Sequence, residues 1–212
     1  TPKTSSAASD VYKRQGKSIN GFTNNEEALF GKKWAPEFEF QLEDKLKARG
    51  ARFESSDIML SHVAVDERLI TGQNPTSTTA TAQEFVRSLG VEPVAYESFD
   101  DEKTLALVAG ILENEPSAYD ELAKNKQNYQ LPLIGMYGFY YLSLAETKAS
   151  INHAITLMES AQSALNHHKL DLQIVKGYQK LGNDEVARNK LKLLLKKHPD
   201  FEEAKSIAAE LL

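Results

Sequence analysis

The side chains able to do chemistry gather in two short stretches. Glu26 and Glu27 follow Thr23, Asn24 and Asn25 directly, and Gln73 and Asn74 stand between Gly72 and Pro75. His62 precedes the second stretch, while His153, His167, His168 and His198 lie far along the chain. A protein metal site needs several ligands converging at fixed spacing, and none of these histidines has a second ligand so placed, so no metal is expected. No cofactor is expected either. The chain contains no cysteine, which excludes disulfides, thiolate zinc and a thiol nucleophile supplied by these residues. Read locally, the two glutamates answer the positive end of a helix, and the Gln73-Asn74-Pro75 loop is a turn ahead of the hydroxyl-rich helix start at Thr76 to Thr78.

The elements that would position them alternate between strand and helix. Lys17 to Phe22 reads as extended, and the cap-type residues Thr23, Asn24 and Asn25 start a helix carrying the glutamates. Pro36 opens a second predicted helix with Phe38, Leu42 and Leu46 on one face, stopped by Gly50. Ala51 to Glu54 is a short strand. His62 to Asp66 and Leu69 to Gly72 predict a hairpin turning at Asp66 and Glu67. A helix with Ala82, Phe85, Val86 and Leu89 then ends at Gly90. This pattern predicts an α/β layer.

Beyond residue 97 the pattern is helical, with hardly a strand signal after Lys103. Tyr178, Leu181, Gly182, Ala187, Leu191 and Pro199 stand where a tetratricopeptide-like helical hairpin wants them: a glycine at the turn, a small residue at the crossing, a proline past the second helix. Gly138, Tyr141 and Leu144 echo the first helix upstream, with Ile151, Ile155 and Met158 as a second. Two to three hairpins are expected, the last cut short at Leu212, with a plain helical bundle as the alternative.

Bulk properties narrow the function classes. The 212 residues are 41% hydrophobic and 26% charged, with a net charge of -5, an ordinary globular balance with no basic field for nucleic acid. The most apolar run, Leu131 to Ala145, is about 15 residues long against the roughly 20 that cross a bilayer, so no membrane role is expected. Ser5 to Gln15, SSAASDVYKRQ, resembles a translated sequencing-library adapter, so residues 1–15 are expected to be a non-native tail that packs on nothing.

Two segments, GKSINGFTNNEEALFG at 16–31 and HVAVDERLITGQNPTSTTATAQEFVRSL at 62–89, joined by a helix ending in Lys-Ala-Arg-Gly-Ala at 47–51, resemble the ThiJ/PfpI family. That family lies in the class I glutamine amidotransferase-like superfamily, and the likeness is to its branch of heat-shock chaperones and glyoxalase III-like enzymes. The resemblance covers about residues 16–92 and implies that 16–96 is the C-terminal part of a flavodoxin-like α/β domain, followed by the tetratricopeptide-like region at 97–212. It further implies a cysteine, a histidine after it and an acid that orients the imidazole. The position matching that acid is Glu27, with Glu26 as the alternative. The cysteine and histidine have no counterparts here and are expected upstream of Gly16, which would leave this chain inactive alone.

The resemblance also implies that Gln73 and Asn74 lie near the substrate, and that His62 occupies a position where relatives often carry histidine. Asp66-Glu67 departs from the Asp-Gly usual at that hairpin turn, so a turn other than type I′ is expected. The intact parent would be a cysteine-dependent glyoxalase, deglycase or amidotransferase-like enzyme acting on small reactive carbonyls. A protein-binding or chaperone module using the helical repeats is the alternative. A cytoplasmic location, a small-molecule substrate for the parent, a peptide or protein partner for the repeats and a homodimer complete the expectations.

Overall fold

The computed structural model describes residues 15–211, so the expected tail at 1–15 lies outside it except for Gln15. Gln15 borders Gly50, whose carbonyl accepts the Gly16 N–H at 2.7 Å. The structure is mostly helical, at 64%, with four short strands among the described residues. It divides into two compact units, one ending at Glu97 and one beginning at Ser98.

In the first unit, strand β1 (Ser18–Ile19) leads into helix α1 (Asn24–Phe30), then α2 (Leu42–Ala48) and β2 (Arg52–Phe53). β1 and β2 pair in parallel, Ser18 with Arg52 and Ile19 with Phe53, and the intervening helices supply the long return that a parallel pair needs. β3 (Val63–Asp66) and β4 (Leu69–Gly72) form an antiparallel hairpin from Val63↔Gly72 to Asp66↔Leu69. Helix α3 (Thr78–Ser88) follows. Ile19, Leu46, Ile58, Leu60 and Ala64 form the buried apolar centre.

The α/β layering is confined to these two separate two-stranded pairs. Where a ladder would run on from β1 to β3, side chains take its bonds: Ser18 N–H donates to Asp66 Oδ2 at 2.8 Å, and Asn20 N–H to Thr71 Oγ1 at 3.0 Å. The long helix expected from Pro36 is also divided. Pro36 stands in a 3-10 turn at Ala35–Glu37, Phe38 is extended, and α2 begins only at Leu42. Leu46 is buried, but Phe38 and Leu42 are each 40% exposed. With no core face to cover Phe38, propagating the helix through it would gain little packing, and packing supplies most helical stability.

Asp66 fastens the hairpin to the parallel pair. Its carboxylate meets Lys17 Nζ at 2.9 Å, Arg52 at 3.3 Å and the Ser18 N–H. The hairpin turns through Glu67 and Arg68. Only Glu67 has positive φ, at 56°, whereas type I′ needs it at both central positions. Glu67 carries this strained conformation while paired with Lys17 at 2.8 Å.

The second unit contains α4 (Asp100–Leu112), α5 (Pro116–Asn125), α6 (Leu131–Leu144), α7 (Lys148–Leu165), α8 (His168–Lys180), α9 (Asp184–Lys197) and α10 (Glu202–Leu211). From α6 to α10 successive helices pack together, most extensively α6 on α7, while α4 packs on α5, α6 and α7. Close crossings are made by small residues. A Cβ on Gly138 of α6 would lie 2.7 Å from the Ala154 carbonyl oxygen of α7, and Ala187 of α9 is fully buried with Leu191 and Leu194. Gly182, with φ +74°, turns the chain between α8 and α9. No helix of the described residues is long and apolar enough to cross a membrane.

Gly138→Ala is expected to cost about 1–3 kcal/mol by overpacking, read by urea denaturation. Acid provides a separate check on the first unit. Hydrogen bonds from Lys17, then from the Ser18 N–H, hold the Asp66 pKa below its ordinary value. A lowered folded pKa stabilises above the unfolded value, about 3.9, and that contribution disappears as pH falls through the folded value. Asp66→Asn is therefore expected to be less stable at neutral pH, and to lose less further stability between neutral pH and the low end of the carboxylate range.

Candidate functional site

The first turn of α1 organises the candidate site. Thr23 caps the helix with its hydroxyl on the Glu26 N–H at 3.2 Å, and the Glu26 carboxylate returns to the Thr23 N–H at 3.0 Å. This reciprocal pair turns Glu26 back toward the chain entering the helix. Glu26 is completely buried. Its Oε1 accepts the Met59 N–H at 3.0 Å and Asn74 Nδ2 at 2.7 Å, and its Oε2 accepts Gln73 Nε2 at 3.2 Å and the Thr23 hydroxyl at 3.1 Å as well as the Thr23 N–H. Five donors from three parts of the chain converge on one carboxylate, which satisfies the acceptor sites a buried carboxylate must fill.

Glu27 is placed differently. It is half-buried, and its carboxylate lies over Gly31, where an added Cβ would collide with Oε2. Its carboxylate accepts no hydrogen bond among the described residues, while its main-chain carbonyl takes the Gly31 N–H at 2.8 Å. Burial, then the neighbouring Glu26 charge, raises its pKa above the ordinary carboxyl value. The structure therefore brings Gln73 and Asn74 to Glu26 and leaves Glu27 unengaged.

Gln73 and Asn74 spend their side chains on the protein. Gln73, 2% exposed, accepts the Ser56 N–H at 2.9 Å and donates to Glu26. Asn74 donates to Glu26 and to the Leu60 carbonyl at 2.8 Å, and its Oδ1 accepts the Thr76 and Ser77 hydroxyls. Met59, at φ +61°, turns its N–H to Glu26 and its carbonyl to the Thr76 hydroxyl at 2.7 Å. Sequence reasoning missed Met59 and the central place of Glu26. The Thr-x-x-Glu spacing of Thr23 and Glu26, a capping-box signature, was the available signal.

His62 is clamped through its main chain. Its N–H donates to Ser77 Oγ at 3.1 Å, and its carbonyl accepts the Gln73 N–H at 3.0 Å and Asn20 Nδ2 at 2.8 Å. Elsewhere, His153 Nε2 meets Asn114 Oδ1 at 2.9 Å, and His167 stacks on His168, whose ring is tilted against that of His198 and meets Phe201 edge-on. Among the described residues no group of three or more His, Asp or Glu side chains is arranged to hold a metal ion.

Comparison with known proteins finds no matching family model, no similar curated protein and no similar solved structure.

The two glutamates should respond oppositely to neutralisation. Glu26→Gln turns an NH2 group toward existing donors and is expected to destabilise the chain by about 2–3 kcal/mol. Glu27→Gln removes a charge that folding disfavours. A raised folded pKa contributes stability that is lost as pH rises through it, so this variant should equal or exceed the wild type in stability at neutral pH and lose the advantage in acid. Thermal melts at the two pH values check both.

Proposed function

We propose that residues 16–96 are the C-terminal part of a ThiJ/PfpI-type domain of flavodoxin-like fold. On this reading the domain acts, together with a cysteine and histidine carried elsewhere, on small reactive carbonyl compounds in the manner of a glyoxalase III-like or deglycase-like enzyme. The observation that carries the reading is the junction at Glu26. The two segments bearing the resemblance, 16–31 and 62–89, are bonded side chain to side chain there through Gln73 and Asn74. Residues distant in sequence would thereby share one pocket wall.

The roles divide by chemistry. Glu26 is saturated, so it is a positioning residue that holds the Gln73–Asn74 loop beside the first turn of α1. Glu27 keeps its acceptor sites open and is partly desolvated, the state in which an imidazole N–H gains most from a carboxylate. Such a bond fixes the tautomer and orientation of the base that draws the proton from a thiol. Gln73 and Asn74 shape the substrate rim through the loop they hold. The chain itself has no cysteine, so by itself it performs no thiol chemistry.

Exposure of large apolar side chains fits a domain whose packing continues beyond these residues. Trp34 and Phe85 are 51% and 57% exposed. In the second unit, the serial packing from α6 to α10 favours a tetratricopeptide-like array. Such arrays present extended surfaces to peptides, the protein-binding or chaperone reading.

Methylglyoxal turnover is the test. The 212-residue chain should consume it no faster than buffer. In a polypeptide carrying the Cys-His pair ahead of residue 16, turnover should appear, and Glu27→Gln should lower kcat on the order of 100-fold without lowering Tm. Equal kcat in that variant would remove Glu27 from the mechanism.

A further inference from the structure

A second constellation lies beside the Glu26 junction, tied to it by the Ser56 N–H that donates to Gln73 Oε1 at 2.9 Å. Ser56 Oγ stands 3.1 Å from His62 Nδ1, and Glu54 Oε2 stands 3.9 Å from His62 Nε2. Nε2 is buried and has no hydrogen-bond partner. A ring that served only to pin a loop would do so at the cost of leaving a buried nitrogen unsatisfied, which folded proteins generally avoid. Glu54 is the acid within ion-pair distance of that nitrogen, and its side chain is 45% exposed, so it is free to close the gap.

We propose that Ser56, His62 and Glu54 form a nucleophile, base and orienting acid able to accept an acyl or phosphonyl group from a small activated ester. The required tautomer follows from the geometry. A proton on Nε2 faces Glu54, and the Nδ1 lone pair then faces the Ser56 hydroxyl, the hydrogen-bonded chain of nucleophile, base and third group that marks an activated hydroxyl. The Ser61 carbonyl competes for that hydroxyl only at 3.5 Å. The base is held in place, because the His62 N–H and carbonyl are fixed by Ser77, Gln73 and Asn20. Ser56 is half-buried and Glu54 exposed, so a small ester can approach from the solvent side.

With a carboxylic ester, the Ser56 oxygen forms a bond to the carbonyl carbon as its proton passes to Nδ1. The C–O bond to the leaving group then breaks, and the departing alcohol takes that proton. Water subsequently attacks the acyl-serine, its proton passing through Nδ1 to Ser56 Oγ, and releases the acid. With a fluorophosphonate the O–P bond forms, the P–F bond breaks and fluoride leaves, which stops the sequence at a stable adduct. Neither course uses Glu27 or a thiol, so the proposal stands or falls separately from the carbonyl reading.

Incubation of the full chain with a fluorophosphonate ester, followed by peptide mass spectrometry, tests this. The adduct should lie on Ser56, be absent from Ser56→Ala, and form at least about tenfold more slowly in His62→Gln, with Glu54→Gln also slowed. Circular dichroism establishes that each variant is folded. If His62→Gln fails to fold, the exposed Glu54→Gln decides, and an unchanged labelling rate there overturns the proposal. No adduct on Ser56, or equal rates in wild type and folded His62→Gln, overturns it as well.

Discussion

The first unit depends on one buried carboxylate. Removing Glu26 from water is costly unless its acceptor sites are filled, and no single element of this small fold could fill them. The donors come from the helix cap at Thr23, the strained turn at Met59 and the loop at Gln73 and Asn74. Each of these pieces has little structure of its own: α1 is seven residues long and β1 only two. Their common obligation to one carboxylate ties them together where hydrophobic burial alone is thin. Asp66 repeats the device at the other end of β1, collecting Lys17, Arg52 and the Ser18 N–H.

In the second unit, steric fit replaces polar convergence. Gly138, Gly135 and Gly177 sit where an added Cβ would come within 2.9 Å of a facing helix, so backbones approach closely and side chains such as Ile155, Leu157 and Met158 are almost wholly buried. The contacts run between neighbours in sequence, α6 to α7, α7 to α8, α8 to α9 and α9 to α10. Such local contacts make folding fast and tolerant of context, whereas the Glu26 network joins residues 48 apart and has to be completed as a whole.

Much of the secondary structure was legible because short-range chemistry decides it. The cap at Thr23, the hairpin around Asp66 and Glu67, the stop at Gly90 and the turn at Gly182 all follow from residue type and neighbours. The Pro36 helix was misread because periodicity records which residues could share a face, not whether anything lies opposite to cover it. The site was legible only in outline. Gln73 and Asn74 were singled out as residues near the substrate, but not as partners of Glu26, because a loop-to-helix contact of that range leaves no periodic trace. Met59 and Ser56 carried no signal, since a main-chain donor or a lone hydroxyl in a loop looks like any other.

Adjacent carboxylates cannot both be buried at low cost, and this explains why Glu26 and Glu27 differ. Successive helix positions point about 100° apart, so a turn that directs one inward directs the next along the surface. Burial of the Glu27 carboxylate, and after it the charge on Glu26, raise its pKa. A carboxylate in that position gains more from a hydrogen-bond donor or cation than an exposed one does, because pairing relieves desolvation and repulsion together.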